Sequence, residues 1–162
     1  MNTRNNTMLV PDDVQADRKI ILTRLLEFPR EKVFRAFTEA EHVAQWWGPD
    51  GFTNTIMAMD VRPGGTWRFV MHGPDGTDYP NRIVFTEVEP PSRLVYEHGG
   101  DSEPFRADFH VVVTFDTAGN GTRLTMQLLF DTVADCERVK SFGAVDGGRQ
   151  TLERLARHLS GM

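Results

Sequence analysis

Histidine and cysteine are the side chains of this sequence that most readily bind a metal ion or act as a nucleophile. The chain has five histidines and one cysteine, Cys136, and no two histidines have the His-x-x-x-His spacing of a helical zinc site. Gly-x-Ser-x-Gly, Gly-x-x-x-x-Gly-Lys and Gly-x-Gly-x-x-Gly motifs are absent. We therefore predict no metal, no cofactor and no catalytic set. A metal site assembled across strands and a Cys136 nucleophile with an unseen base stay open as alternatives.

His98 is the histidine whose surroundings can be interpreted in two ways. Leu94, Tyr96 and His98 are every second residue of a short predicted strand, so the three side chains share one face. On that face the imidazole could donate to a ligand oxygen or carry a proton, whereas at a strand end it would only touch water. Aromatic rings are ambiguous in the same way, because they fill a core unless sheet and helix fail to meet tightly.

Hydrophobic periodicity predicts the elements that would position these side chains. A strand over residues 19–28 is followed by Pro29, which is tolerated in a first helical turn. A short helix over 30–37 comes next. Thr38 and Glu41 then form a Thr-x-x-Glu capping box that predicts the start of a second short helix, which ends near residue 47.

The middle of the chain alternates apolar and polar residues with period two, which is typical of half-buried strands. Turn residues such as Gly-Pro-Asp-Gly separate the segments, and Ala-Gly-Asn-Gly predicts a tight hairpin between the last two. Consecutive strands with short turns indicate an antiparallel meander. The six predicted strands of this part cover residues 52–61, 67–72, 81–89, 93–98, 109–115 and 124–130.

The last predicted element is a long helix over residues 133–159, with a break near Gly147-Gly148. Leu152, Leu155 and Leu159 form an apolar stripe that could cover the sheet. Gly148 falls on the same stripe, although glycine inside a helix costs about 1 kcal/mol relative to alanine. The missing side chain could open volume for a ligand, or it could allow a kink or close backbone packing.

Bulk properties exclude several classes of protein. The net charge of −5 and the pI near 5.5 disfavour binding to nucleic acid or to a membrane surface. A single cysteine fits a reducing cytoplasm, which is our expected location. Residues 1–17 are polar, do not resemble a signal peptide and are predicted to be a flexible tail. Residues 18–162 then form one soluble α+β domain.

Several motifs of the chain resemble the bacterial AHSA-type proteins, homologues of the activator of the heat-shock chaperone ATPase. The similarity runs from about Arg18 to Leu159. The motifs that carry it are PREKVFRAFT (29–38), WWGP (46–49), DVRPGGTW (60–67), GPDG (73–76), EVEPPSRL (87–94) and GGRQTLERL (147–155).

This resemblance implies the START-like, or SRPBCC, superfamily and its helix-grip fold. In that fold a seven-stranded antiparallel sheet wraps around a long C-terminal helix, over a hydrophobic cavity, and two short helices follow the first strand. Many relatives have a large aromatic residue where this chain has Gly148, which suggests a wider cavity here. The family has no shared catalytic residues to transfer.

We therefore expect a binding protein for a small apolar molecule, either lipid-like, aromatic or polyketide-like. Two alternatives stay open: a chaperone partner that acts through its outer surface, and a cyclase-like or aromatase-like enzyme that uses His98, Tyr96, His72 or Arg68. A homodimer is a further expectation. The predicted pocket residues are Trp67, Phe69, Met71, Phe85, Tyr96, His98, Met126, Gly148 and Leu152.

Overall fold

The computed structural model of the protein describes residues 16–162, which form one α+β unit. A 3₁₀ turn, Ala16–Arg18, leads into the first strand. The strands and helices follow in the order β1 (Lys19–Leu26), α1 (Arg30–Thr38), α2 (Ala40–Trp46), β2 (Thr53–Met59), β3 (Thr66–His72), β4 (Asp78–Glu89), β5 (Arg93–Gly100), β6 (Ala107–Ala118), β7 (Gly121–Leu129), α3 (Val133–Ser141) and α4 (Ala144–Gly161).

All seven strands belong to one antiparallel sheet with the order β1-β7-β6-β5-β4-β3-β2. Strands β2 to β7 form a meander of neighbours, and β1 then pairs with β7, so that β1 and β2 are the two edges. Helices α1 and α2 carry the chain from one edge to the other. This architecture confirms the predicted seven-stranded helix-grip fold with two short helices after the first strand.

The core lies between the inner face of the sheet and α4. Leu152, Leu155 and Leu159 of α4 are almost fully buried, and they belong to the same apolar cluster as Val113 and Phe115 of β6. Burial of each such leucine contributes roughly 1.5–3 kcal/mol. The apolar stripe of α4 is therefore the cover that the meander requires.

Two predicted helix boundaries are wrong. Thr38 is the last residue of α1, where its hydroxyl donates to the Phe34 carbonyl (2.8 Å), and Glu39 is the N-cap of α2. The predicted break at Gly147-Gly148 lies instead at Gly143, whose φ of 84° separates α3 from α4. A left-handed backbone suits glycine best, so Gly143 stops α3, while Gly147 and Gly148 continue α4.

Strand limits differ from the prediction by a few residues. Strand β4 begins at Asp78 rather than at residue 81, and β6 begins at Ala107 rather than at residue 109. Most of the predicted 1–17 tail lies outside the described residues. Within residues 16–162, no helix is both long enough and apolar enough to cross a membrane.

Candidate functional site

A hollow of about 360 Å³ lies between the inner face of the sheet and the first half of α4. We call it the inner cleft. The connection after α2 and the turn between α3 and α4 also border it. Its wall consists of Leu22, Trp47, Gly48, Pro49, Met71, Tyr96, His98, Phe109, Val111, Met126, Leu128, Phe142, Gly143, Ala144, Gly147, Gly148, Thr151 and Leu152.

Six of the nine predicted pocket residues lie in this wall. They come from four separate elements, which the fold brings together: Met71 (β3), Tyr96 and His98 (β5), Met126 (β7), and Gly148 and Leu152 (α4). Whether these residues bind a ligand stays a prediction.

Trp67, Phe69 and Phe85 do not line the inner cleft. Trp67 and Phe69 stack with their ring centroids 4.1 Å apart, and Trp47 covers Trp67 at 4.9 Å. Phe85 packs edge-on against Tyr96 at 6.0 Å. All three are almost completely buried in the core and lie outside the cleft wall, and their role in ligand binding stays a prediction. Trp47 shields the pair on β3 from the cleft and takes their place in its wall.

Gly148 of α4 packs against Leu22 of β1. A Cβ atom at this position would be 2.5 Å from Cδ1 of Leu22, a distance that requires the leucine to move. A Cβ atom at Gly147 would meet Pro49 at 3.4 Å, which is an ordinary contact. The two glycines thus have different roles: Gly148 allows close packing of helix on strand, while both border the cleft.

His98 is the basic side chain of the cleft wall. Its Nε2 lies 2.8 Å from Oδ1 of Asn81, and the Asn81 amide nitrogen donates to the Tyr79 carbonyl (2.8 Å). The rings of Phe69 and Phe109 lie on either side, at 6.1 and 5.0 Å. Burial lowers the pKa of His98 to about 4, so the imidazole is neutral at pH 7.

Tyr96 lies two residues before His98 on the same face of β5. Only 3% of the residue is exposed, and none of the hydrogen bonds formed among residues 16–162 involves its hydroxyl. Burial also raises the pKa of the phenol well above its usual value. The cleft thus contains a neutral hydroxyl group that forms no hydrogen bond with the described residues.

Arg154 holds the connection that borders the cleft after α2. Its Nη1 donates to the carbonyl oxygens of Trp47 (3.2 Å), Gly48 (2.7 Å) and Pro49 (2.9 Å). Its Nη2 donates to those of Gln45 (3.3 Å) and Phe52 (3.0 Å). The planar guanidinium supplies several donors in a fixed geometry, so one side chain of α4 positions the whole turn. Arg154 was not predicted from the sequence, because a charged side chain opposite an apolar stripe indicates only exposure to solvent.

Phe142 also borders the cleft. It lies in the turn between α3 and α4 and is 82% exposed, although the surrounding turn residues border the cleft. Phe142 was not predicted from the sequence either, since a residue between two helices has no periodicity that assigns it to a face.

Two candidate residues of the enzyme alternative, His72 and Arg68, do not line the cleft. They alternate with Trp67, Phe69 and Met71 along β3 and therefore point to the opposite face. His72 contacts Asp78 (2.7 Å), and Arg68 pairs with Asp101 (2.9 Å). Both are occupied by partners at the surface.

Other reactive side chains also lie away from the cleft. Cys136 is buried in α3, and this burial raises the pKa of its thiol, which disfavours the nucleophilic thiolate. His42 and His158 share a hydrogen bond of 3.1 Å between α2 and α4. Glu39 and Glu41 bring carboxylates near His42, but this cluster is partly exposed.

A second hollow, of about 640 Å³, lies beside β1 and α4. In contrast to the inner cleft it is bordered by charged side chains, among them Arg24, Asp50, Arg149 and Glu153. Arg24 and Glu153 form an ion pair of 2.5 Å across it. We call it the charged groove.

An antiparallel seven-stranded sheet that packs on a long terminal helix, with two short helices after the first strand, defines the helix-grip class. The family model described as "Activator of Hsp90 ATPase homolog 1-like protein" (AHSA1) matches residues 27–160. The chain therefore belongs to the AHSA1 family.

Solved bacterial structures share this fold. Protein Ms6760 from Mycobacterium smegmatis is 23% identical with a TM-score of 0.82, over 90% of this chain and 92% of that chain. Protein NE0264 from Nitrosomonas europaea is 26% identical with a TM-score of 0.81, over 91% and 97%. A protein from Arthrobacter aurescens is 22% identical with a TM-score of 0.82, over 90% and 88%. No curated protein matches the sequence.

Proposed function

We propose that this protein binds a small, mostly apolar molecule in the inner cleft. The supporting observation is a hollow of about 360 Å³ with an almost entirely apolar wall. Protein interiors are close-packed and contain few voids larger than a water molecule. Ligand sites, in contrast, typically have volumes of about 300–1,000 Å³, apolar walls and a few polar groups.

The arrangement of the wall fits binding better than catalysis. Of the described residues that border the cleft, His98 and Tyr96 are the ones with titratable side chains. Both are held in their neutral forms by burial, since the pKa of His98 is lowered and that of Tyr96 is raised. General acid–base catalysis works best with pKa values near the working pH. Both shifts move the pKa values of His98 and Tyr96 further from neutral pH.

A cavity-filling variant and a matched control test the proposal. Leu128 borders the cleft, while the adjacent Gln127 of β7 alternates with it and points to the opposite face. Leu128→Trp should fill the cleft, and Gln127→Trp adds the same bulk outside it. The uncharged fluorophore N-phenyl-1-naphthylamine serves as the probe.

We expect the probe to bind the wild-type protein and Gln127→Trp, and to raise their melting temperatures. Leu128→Trp should lose at least tenfold in affinity while it keeps a cooperative unfolding transition. Equal affinity for both variants would place the probe elsewhere, and the absence of binding to the wild-type protein would contradict the proposal.

A further inference from the structure

The inner cleft has a defined hydrogen-bonding polarity that narrows the class of ligand. This inference rests on the proposed function. The Asn81 amide nitrogen donates to the Tyr79 carbonyl, which leaves the amide oxygen directed at His98. An amide oxygen can only accept a hydrogen bond, so Nε2 of His98 must carry the proton.

The other ring nitrogen is therefore an acceptor. A neutral imidazole has one protonated nitrogen, and with the proton on Nε2 the lone pair is on Nδ1. None of the hydrogen bonds formed by residues 16–162 uses Nδ1 of His98. A ligand that satisfies this nitrogen must supply a donor.

Tyr96 adds a second requirement. Its hydroxyl, also without a partner among the described residues, can donate a hydrogen bond to a ligand oxygen. An alcohol or phenol group can both donate to Nδ1 of His98 and accept from Tyr96. A ketone offers no donor to His98, and an indole N–H offers no acceptor to Tyr96.

The wall also disfavours charge. Of the described residues that border the cleft, none is Asp, Glu, Lys or Arg. A buried carboxylate or ammonium without an opposite charge is strongly disfavoured. The charged side chains of Arg24, Asp50, Arg149 and Glu153 border the charged groove instead.

We propose that the inner cleft selects an uncharged, mostly apolar alcohol or phenol, whose hydroxyl donates to Nδ1 of His98, with Tyr96 as the second polar contact. The apolar wall accounts for affinity, and the two polar side chains of β5 account for orientation. The same reasoning predicts that a carboxylic acid of equal size binds poorly.

Three naphthalene derivatives of similar size test this proposal at about pH 7, where a phenol is uncharged. They are 2-naphthol, 2-methylnaphthalene and 2-naphthoate, and their dissociation constants are measured with the wild-type protein and with variants. His98→Gln keeps an amide N–H that can reach Asn81 but displaces the acceptor from the position of Nδ1. Tyr96→Phe removes only the hydroxyl. His98→Asn retains an acceptor near the position of Nδ1.

We expect His98→Gln and Tyr96→Phe each to weaken 2-naphthol binding about tenfold, and to change 2-methylnaphthalene binding less than about twofold. His98→Asn should recover part of the loss. 2-Naphthoate should bind the wild-type protein at least tenfold more weakly than 2-naphthol.

The outcomes separate the two proposals. If none of the three compounds binds, the proposed function fails and this inference fails with it. If 2-methylnaphthalene binds but His98→Gln leaves 2-naphthol binding unchanged, the apolar cleft stands and the assignment of His98 is overturned. Tighter binding of 2-naphthoate than of 2-naphthol overturns the preference for an uncharged ligand. Tyr96→Phe removes no protein hydrogen bond of the described residues, so it provides a folded variant if His98→Gln is unstable.

Discussion

Nε2 of His98 donates a hydrogen bond of 2.8 Å to the amide oxygen of Asn81, and this contact joins β5 to the neighbouring β4 inside the sheet. It turns a histidine into a neutral acceptor at the wall of an apolar cleft. Its consequences can be measured without knowledge of the natural ligand.

Acid should destabilise the protein through His98. The pKa of His98 is about 4 in the folded protein against an ordinary value of 6.5, so below pH 6.5 the unfolded chain takes up a proton that the folded protein does not. This contribution to stability is therefore complete above about pH 6.5 and is lost as the pH falls towards 4. A shift of this size corresponds to roughly 3 kcal/mol.

Urea unfolding at about pH 7 and pH 4.5 checks this prediction in the wild-type protein and in His98→Gln. The variant should lose less stability on acidification than the wild-type protein, because its side chain at position 98 does not titrate. Carboxylates such as Asp101, whose pKa the Arg68 and Arg82 guanidinium groups lower, contribute equally to both proteins and cancel in the comparison. The same acid sensitivity in both proteins would show that folding does not lower the pKa of His98.

Removal of the Arg154 guanidinium should destabilise the domain and loosen the border of the cleft. Arg154→Met leaves five backbone carbonyl oxygens without this donor, and we expect a loss of about 3 kcal/mol in the free energy of unfolding. Arg154→Lys should recover only part of it, since an ammonium lacks the planar donor geometry.

Arg157→Met is the matched control for Arg154. Arg157 lies one turn later on α4 and is exposed, and its nitrogens are 3.8 Å from Asp50 and 3.9 Å from Glu153. Long ion pairs at the surface contribute little, so its loss should change stability by less than about 0.5 kcal/mol. Similar effects of the two variants in urea unfolding would contradict the positioning role of Arg154.

The two glycines of α4 should respond differently to alanine. Gly147→Ala meets Pro49 at an ordinary distance and should gain up to about 1 kcal/mol from helix propensity. Gly148→Ala would gain the same helix propensity, but it forces Cδ1 of Leu22 to move, and this movement should offset part of the gain. Gly148→Ala should therefore be the less stable of the two by thermal unfolding.

A double-mutant cycle assigns the difference to one contact. Leu22→Val shortens the side chain that blocks position 148, and it should reduce the penalty of Gly148→Ala while it leaves the effect of Gly147→Ala unchanged. Additive effects of Leu22→Val and Gly148→Ala would show that the crowding arises elsewhere.

Alternation along the chain was enough to predict the sheet, because it encodes which face of each strand is apolar. Alternation does not predict which residues of an apolar face border a cavity and which are covered by other side chains. Trp67, Phe69 and Met71 share one face of β3, yet only Met71 reaches the cleft, since Trp47 of a distant segment packs over the first two. A contact between residues twenty positions apart leaves no trace in periodicity.

The helix boundaries predicted from local sequence motifs were wrong for a related reason. Thr-x-x-Glu occurs at residues 38–41, but the Thr38 hydroxyl donates back to Phe34 and caps nothing. The adjacent glycines at 147–148 resemble a helix break, whereas the packing against Leu22 accounts for Gly148 and Gly143 provides the actual break. Arg154 and Asn81 act on backbone and side chains brought near only by the fold, so they had no signal in the sequence.

Methyl NMR tests the central claim most directly, because methionines lie both inside and outside the cleft. Met71 and Met126 border it, whereas Met57 of β2 is exposed. With ¹³C-methyl methionine and increasing 2-naphthol, we predict saturable shifts of the Met71 and Met126 methyl signals at one common dissociation constant, while the Met57 signal stays in place. Shifts confined to Met57, or unchanged Met71 and Met126 signals at saturating 2-naphthol, would contradict a ligand site in the inner cleft.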